Sequence, residues 1–415
     1  SGGQIKIIEP QPKLPIFPDA LIPTSPNQQA DTNQQADTNQ QITPLTSTAQ
    51  ISSTQQAATT PTAQTEIGFT NTFATYLGLT DNRIVTLEEA QTKLRQIESI
   101  TGIKPALIYV RFKPANSTLA QEQNPESSET LWTFNASSQS AGGLSSNQQA
   151  QASDQLELEV VTPSGKPITI PVEGATRAKV LAVAQQFRQA IANIRDGYLP
   201  QAEQLYQWLI APIEAELKAQ QIEVNNLSFI MDAGLRSIPI AALYDGQEKK
   251  FIIEKYSVGL MPSLSLTDTS YQDVKDMKVL AMGAEQFPTQ NPLPAVGLEL
   301  SEIKEQGWQG ESFINQNFTL NNFKKALATE NFGLIHLATH GEFQPGSLSN
   351  SYVQFWDTRL TLDELPELNL KQLNINLLVL SACRTALGDA EAELGFAGLA
   401  VKAGVKSALG SLWYV

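Results

Sequence analysis

Residues 374–404, NINLLVLSACRTALGDAEAELGFAGLAVKAG, hold the pattern that decides the fold. Positions 377–380 form a short apolar run between polar residues, which is typical of a strand buried on both faces of a parallel sheet. The only cysteine of the chain, Cys383, follows this run, and apolar residues at helical spacing begin at Leu394. The pattern predicts that Cys383 lies just past the end of a central strand. In open α/β sheets, ligands bind outside the carboxyl ends of the strands.

A second apolar run upstream supplies the partner for this cysteine. Residues 331–343, NFGLIHLATHGEF, are predicted to form a strand that ends in His340 and is followed by Gly341. His340 and Cys383 are 43 positions apart, which resembles the caspase spacing of about 50 residues between histidine and cysteine. The two strand ends are therefore predicted to bring an imidazole close to a thiol.

This pairing of residue types suits nucleophilic catalysis. A thiolate needs a neighbouring base at neutral pH, and His340 can take the proton of Cys383 and later give it to the leaving amine. The backbone N–H groups of Gly341 and Cys383 are predicted to form an oxyanion hole for the tetrahedral intermediate.

Four ordered motifs together resemble the CHAT domain. They are MDAGLRSIPIAAL at 231–243, HLATHG at 336–341, LLVLSACRTALG at 377–388 and GFAGLAVKAGVKSALGSLW at 395–413. This family is a branch of the caspase-like cysteine peptidases, is akin to separase and is often found in cyanobacteria and other bacteria. The resemblance implies a caspase-like α/β fold and a catalytic His-Cys dyad, carried here by His340 and Cys383.

The chain is predicted to contain three regions. Residues 1–65 are rich in Gln, Thr, Ser, Ala and Pro and repeat NQQADT in tandem, so we interpret them as a disordered low-complexity linker. Residues 66–198 form a smaller α+β region with a flexible insertion at about 113–155. This region resembles the part that precedes the CHAT domain in long cyanobacterial proteins. Residues 199–415 form the caspase-like domain, a mainly parallel sheet with helices on both faces.

Local patterns predict several elements of these regions. A helix is expected to end near Gly102, and a hairpin is expected to turn at 163–166. Pro212 should kink or split the helical stretch that contains it. Thr319 is the predicted cap of a later helix, and residues 406–415 are the predicted strand beyond that of Cys383.

Both termini are interpreted as cut ends, because the chain starts with Ser1 and stops at Val415. Relatives continue past this point, so the resemblance implies a caspase-like domain truncated at its carboxyl end and further domains upstream. A fragment of this kind is expected to hydrolyse peptides at least about 100-fold more slowly than the full domain, since a misplacement of about 1 Å has that effect. The compartment stays open between cytoplasm and export, with the low-complexity tail favouring export.

Composition excludes several other functions. The formal net charge is −14 and there is no basic stripe, so a nucleic-acid partner is not expected. No apolar stretch reaches the roughly 18 residues of a membrane helix. His336 and His340 have the i, i+4 spacing of a metal pair, but they lie on a predicted strand, and we expect no metal and no cofactor. His336 is instead predicted to be buried and hydrogen-bonded.

The substrate is expected to be a protein or peptide, and its pocket has candidate residues around the cysteine. These are Ser381, Asp389, Glu391, Glu393 and Trp413. An acidic pocket for basic residues occurs in many caspase-like peptidases, whereas a solvated helix start that suits the helix dipole explains the same acids. Arg384 is interpreted as a loop anchor. The motif 231–243 is expected to pack beside the dyad, with Arg236 and Pro239 in architectural roles.

Two functions follow. The first is a cysteine endopeptidase of the caspase-like class that acts on protein substrates through His340 and Cys383. The second is a signalling or interaction module that keeps the fold and cleaves nothing.

Overall fold

The fold was analysed in a computed structural model of the 415-residue chain. The structure describes residues 61–80, 83–115, 150–192, 197–385 and 390–411, and for residues 382–385, 390, 391 and 396 it describes the backbone alone. Most of the predicted linker at 1–65 and of the predicted insertion at 113–155 lies outside these ranges.

Two large sheets and one antiparallel pair of short strands, Tyr244–Asp245 and Lys250–Phe251, organise the described chain. In chain order, the elements of the first half are α1 (Pro61–Leu77), α2 (Leu87–Thr101), β1 (Pro105–Lys113), β2 (Gln155–Val161), β3 (Ile168–Thr176), α3 (Arg177–Ala192), α4 (Leu199–Leu209), α5 (Ala211–Ala219), β4 (Asn226–Met231), β5 (Tyr244–Asp245), β6 (Lys250–Phe251) and β7 (Ser257–Leu260). Those of the second half are β8 (Val279–Gly283), α6 (Val296–Glu305), β9 (Gly310–Ile314), α7 (Leu320–Thr329), β10 (Leu334–Phe343), β11 (Tyr352–Gln354), β12 (Arg359–Thr361), β13 (Leu377–Thr385), α8 (Ala390–Ala397), α9 (Leu399–Ala403) and β14 (Ser407–Gly410).

The first sheet has the strand order β3-β2-β1-β4-β7. Strands β1, β2 and β3 pair antiparallel, while β4 joins β1 in parallel and β7 joins β4 in parallel. Helices α3 to α5 cover one face of this sheet, where Phe187 and Leu205 pack on Phe229 and its neighbours. On the other face, Phe69 of α1 and Leu94 of α2 are part of a second apolar cluster. The predicted domain boundary at 198/199 therefore separates strands of one sheet, and this boundary stays a prediction.

The second sheet confirms the predicted mainly parallel α/β architecture. Strands β9, β8, β10, β13 and β14 run parallel in this order, and β11 and β12 extend the sheet as an antiparallel pair beside the end of β10. Val296 and Leu300 of α6 pack on one face, and Phe323 of α7 and Leu399 of α9 pack on the other.

Local sequence signals explain where several helices begin and end. At the start of α2, the Thr86 side chain accepts a hydrogen bond from the Glu89 N–H while the Glu89 carboxylate accepts one from the Thr86 N–H. This capping box fixes the helix start. Gly102, with φ +71°, ends the helix as predicted. Thr319 caps α7 as predicted, accepting from the Asn322 N–H at 3.1 Å.

Other expectations need correction. The linker was expected to extend to residue 65, but α1 begins at Pro61, because Thr62 and Thr65 are buried and both hydroxyls hydrogen-bond to Glu159.

The expected split at Pro212 is confirmed, since α4 ends at Leu209 and α5 begins at Ala211.

The helix predicted after Cys383 is also divided, into α8 and α9. The break is at Gly398, where an added Cβ would lie 2.9 Å from the Leu394 carbonyl oxygen and 3.0 Å from a methyl group of Leu77. Close approach of α1 therefore explains this glycine.

Candidate functional site

The predicted dyad lies on two neighbouring parallel strands, β10 and β13. Gly341 is in register with Cys383, and Ala338 is in register with Ser381. Both strands were expected to end at or before these residues, but β10 continues to Phe343 and β13 to Thr385. The extension exists because Gly341 and Glu342 also pair with β11, which prolongs the ladder past the polar residues. The backbones of His340 and Cys383 are thus held inside a sheet rather than in free loops.

An irregularity in β10 separates the two histidines. The pairing with β13 shifts between Ala338 and Gly341. Regular alternation would place His336 and His340 on the same face of the strand, since they are four residues apart. Instead, His336 contacts α6, whereas the ring of His340 lies against Phe287, which packs with the cluster on the opposite face. A bulge of this kind re-aims one side chain, and here it gives the two histidines different surroundings.

His340 is oriented by the loop that follows β8. Its Nε2 atom lies 2.7 Å from the carbonyl oxygen of Asn291, and the ring centroid lies 5.0 Å from that of Phe287. Because a carbonyl oxygen only accepts, Nε2 carries the proton in this contact. In the neutral ring Nδ1 is then the acceptor. Sequence reasoning missed Asn291 and Phe287, although their position after the buried strand β8 was the signal that marks site residues in α/β sheets.

His336 is hydrogen-bonded, as predicted, but it is half-buried rather than buried. Its Nε2 atom lies 2.8 Å from Oε1 of Glu299 on α6. This hydrogen bond lowers the pKa of Glu299, burial acts in the opposite direction, and a bond from the Ser381 hydroxyl lowers the pKa further. Ser381 had been expected in the substrate pocket, but its hydroxyl is engaged with Glu299. The three side chains connect α6 to β10 and β13.

Among the acidic pocket candidates, Glu393 is the one whose side chain the structure describes. Asp389 and Trp413 lie outside the described residues, and the structure gives only the backbone of Glu391, in α8. Glu393 is 1% exposed and accepts hydrogen bonds from the Gly234 N–H, at 2.8 Å, and from the Ser237 hydroxyl. The expectation that Glu393 lines an open pocket is wrong for this structure, because its carboxylate is used inside the protein. Its partners are more than 150 positions away in sequence, so no local pattern indicated them.

The motif 231–243 contacts α8, since Gly234 and Ser237 donate to the Glu393 carboxylate. Arg236 is buried, its Nε–H donates to the Met231 carbonyl oxygen at 2.9 Å, and its guanidinium lies 5.0 Å from the ring centroid of Phe73. Burial lowers the pKa of Arg236, while the charges of Asp232 and Glu393 oppose that effect. These contacts are those of an architectural residue.

Among the residues that the structure describes, no group of three or more His, Cys, Asp or Glu side chains is arranged to hold a metal ion.

None of the described helices combines the length and the apolar character that spanning a membrane requires.

The sequence was then compared with known proteins. No curated protein matches the chain. The family profile of the CHAT domain matches residues 199–415, just over half of the 415 residues, and this range includes both His340 and Cys383. That match and the mainly parallel sheet agree with the motifs in the sequence. The chain therefore belongs to the CHAT domain family, whose fold is caspase-like and related to that of cysteine peptidases.

Proposed function

We propose that this protein is a cysteine endopeptidase in which His340 and Cys383 form the catalytic dyad. The observation that carries the proposal is the register of β10 and β13. Gly341 pairs with Cys383 on the neighbouring strand, and His340 is the residue immediately before Gly341. Family membership supports the same assignment. The substrate class is a protein or peptide.

The proposed reaction begins with proton transfer from the Cys383 thiol to His340. The thiolate attacks the peptide carbonyl carbon, and the N–H groups of Gly341 and Cys383 stabilise the negative oxygen of the tetrahedral intermediate. The C–N bond then breaks, and His340 gives its proton to the leaving amine. Water, deprotonated by His340, attacks the thioester and releases the new carboxylate and the free thiol.

The contact between His340 and Asn291 supports the role of the imidazole. With Nε2–H donated to the Asn291 carbonyl oxygen, Nδ1 is the nitrogen that takes the thiol proton. A base that is itself oriented by a third group is the usual arrangement around an activated nucleophile. Here the third group is a backbone carbonyl, so a change of the Asn291 side chain need not remove it.

The test compares the full-length protein with Cys383→Ala and His340→Ala. We expect a thiol-directed peptidyl probe to label the wild type and not Cys383→Ala. Peptide turnover should disappear in Cys383→Ala and fall by roughly 10²- to 10⁴-fold in His340→Ala, which is the usual effect of losing a general base. The matched control is His336→Gln, which removes the other histidine while leaving the dyad.

The opposite result identifies the second function. If no peptidyl probe labels the folded full-length protein, and Cys383→Ala changes no proteolysis, the chain is a non-catalytic signalling or interaction module. A fall in turnover that is equally large in His336→Gln and His340→Ala would contradict the specific role of His340.

A further inference from the structure

Glu393 connects the helix after the cysteine to the other sheet of the protein. It lies in α8, ten positions after Cys383, and its side chain is 1% exposed. The donors to its carboxylate, the Gly234 N–H at 2.8 Å and the Ser237 hydroxyl, belong to the turn that follows β4. Arg188 of α3 adds an ion pair, with 3.7 Å between its Nη1 and Glu393 Oε1. A single carboxylate therefore holds groups from two separate parts of the chain, the turn after β4 and α3.

Two buried arginines lie near Glu393, so replacing its carboxylate by a neutral group is unfavourable. Arg188 is 4% exposed and also donates to the Gly234 carbonyl oxygen at 2.8 Å. Burial lowers the pKa of Arg188, and the charge of Glu393 acts against this. The charge of Glu393 also acts on the buried guanidinium of Arg236. In the described part of the chain, the Nη2 atom of Arg236 has no hydrogen-bond partner. Loss of the negative charge at Glu393 would leave two buried guanidinium groups with less compensation, which is unfavourable.

The short connection between β13 and α8 links this ion-pair cluster to the cysteine. Strand β13 ends at Thr385 and α8 begins at Ala390, so only residues 386–389 join them. The position of β13 is set by its ladder with β10, whereas that of α8 is set by Glu393 and by Leu394, which packs with Phe73 and Leu77 of α1. The relative placement of the two elements thus depends on contacts made far from the dyad.

We infer that Glu393 is a positioning residue for Cys383, which acts by fixing α8 against the Gly234–Ser237 turn. The inference rests on the proposed dyad. In this role Glu393 controls the geometry of the nucleophile and does not bind a basic residue of the substrate. The first sheet then takes part in the reactivity of a cysteine carried by the second.

Because Cys383 is the only cysteine of these 415 residues, its chemistry can be followed in this chain without a substrate. The experiment measures the rate of alkylation by iodoacetamide in the folded 415-residue chain, followed by intact mass, for wild type, Glu393→Gln, His340→Ala and the double variant. We expect Glu393→Gln to lower the rate at least about tenfold, since a displacement of about 1 Å is sufficient for such losses. In the Glu393→Gln background, His340→Ala should add less than about a twofold change, as expected for coupled residues.

The matched control is Asp245→Asn. Asp245 is also a buried carboxylate that accepts a backbone N–H and a hydroxyl, from Gln247 and Tyr206, but it belongs to β5 beside the first sheet. Its substitution should leave the alkylation rate within about twofold of wild type, the expectation for a distant and independent site. Ser237→Ala serves if Glu393→Gln does not fold, because it removes one donor and no charge. It should lower the rate about threefold, the effect of one weakened hydrogen bond.

The outcomes separate the two proposals. A wild-type alkylation rate in folded Glu393→Gln, or in Ser237→Ala when the first variant does not fold, overturns the positioning role. Independent, multiplicative effects of Glu393→Gln and His340→Ala overturn it as well. If His340→Ala alone leaves the rate unchanged, the proposed dyad fails, while the rate of Glu393→Gln still decides the role of Glu393.

Discussion

Single buried carboxylates hold much of the polar interior of this protein in place. Asp245 accepts hydrogen bonds from the Tyr206 hydroxyl and the Lys255 ammonium, both at 2.8 Å, and from the N–H groups of Gln247 and Glu248. Burial alone would raise the pKa of Asp245, but these hydrogen bonds outweigh it and lower the pKa to about 2. Burial alone would lower the pKa of Lys255, but its contacts with Asp245 and Glu214 outweigh this and raise it. Asp245 and Lys255 therefore form an ion pair throughout the neutral pH range.

This depressed pKa predicts a specific loss of stability in acid. In the unfolded chain Asp245 has its ordinary pKa of 3.8, so its contribution to stability is complete above that pH and is lost as the pH falls through the folded value of about 2. Asp245→Asn should lower the melting temperature most near neutral pH, and the difference from wild type should shrink between about pH 4 and about pH 2. Thermal unfolding followed by circular dichroism across this range measures it. A difference that stays constant with pH would contradict the ion-pair assignment.

Among the elements, α1 has a larger role than its place outside the family match suggests. Phe73 is 1% exposed, packs with Leu77 and Leu394, and lies under the guanidinium of Arg236. Glu66, on the same helix, accepts hydrogen bonds from the Tyr109 hydroxyl at 2.9 Å and from a backbone N–H of the loop after β7. The helix therefore contacts the first sheet and α8 at once.

Truncation of the Phe73 ring tests the importance of α1. Phe73→Ala should lower the free energy of unfolding by about 3–5 kcal/mol, the usual cost of removing a fully buried aromatic ring. Chemical denaturation measures the change. Tyr271→Ala is the control, because that ring is 52% exposed and its loss should cost less than about 0.5 kcal/mol. Equal effects of the two substitutions would show that α1 is not part of the cooperative unit.

For the molecule as a whole, the family match and the folding unit differ in extent. The match begins at residue 199, yet β4, inside it, pairs along its length with β1, outside it. A piece consisting of residues 199–415 should therefore expose the edge of β4 and an apolar sheet face, and we expect it to aggregate. A piece that starts at residue 61 should be soluble and unfold in one transition. Expression of both pieces tests these two expectations, with solubility and thermal unfolding as the measurements. Cooperative unfolding of 199–415 would contradict this view.

The sequence predicted features whose cause is local. Gly102 ends α2, Thr319 caps α7, Pro212 divides a helix by its own ring, and the apolar run of β13 identifies a strand. The histidine and cysteine motifs, read with their spacing, indicated two neighbouring strands, and the register of β10 with β13 agrees with that.

The remaining features depend on partners that are remote in sequence. No pattern around Glu393 shows that its carboxylate is buried against Gly234, and an acidic run after a strand more often indicates a solvated helix start than a pocket. Likewise, β10 continues beyond His340 because it pairs with β11. Strand β11 is only three residues long, so its sequence shows no clear strand pattern. The contact of His340 with Asn291 involves a backbone atom, for which side-chain identity carries no signal.

The contact between α1 and α9 has a consequence for synthesis on the ribosome. The Lys402 ammonium donates to the Leu77 carbonyl oxygen at 3.0 Å across 325 positions of sequence. At about 5–20 residues per second, α1 is synthesised roughly 15–65 s before Lys402. During that interval Phe73 and Leu77 lack Leu394, the later residue that completes their cluster. The nascent chain thus presents apolar side chains of α1 throughout that interval, which is the kind of surface that chaperones bind.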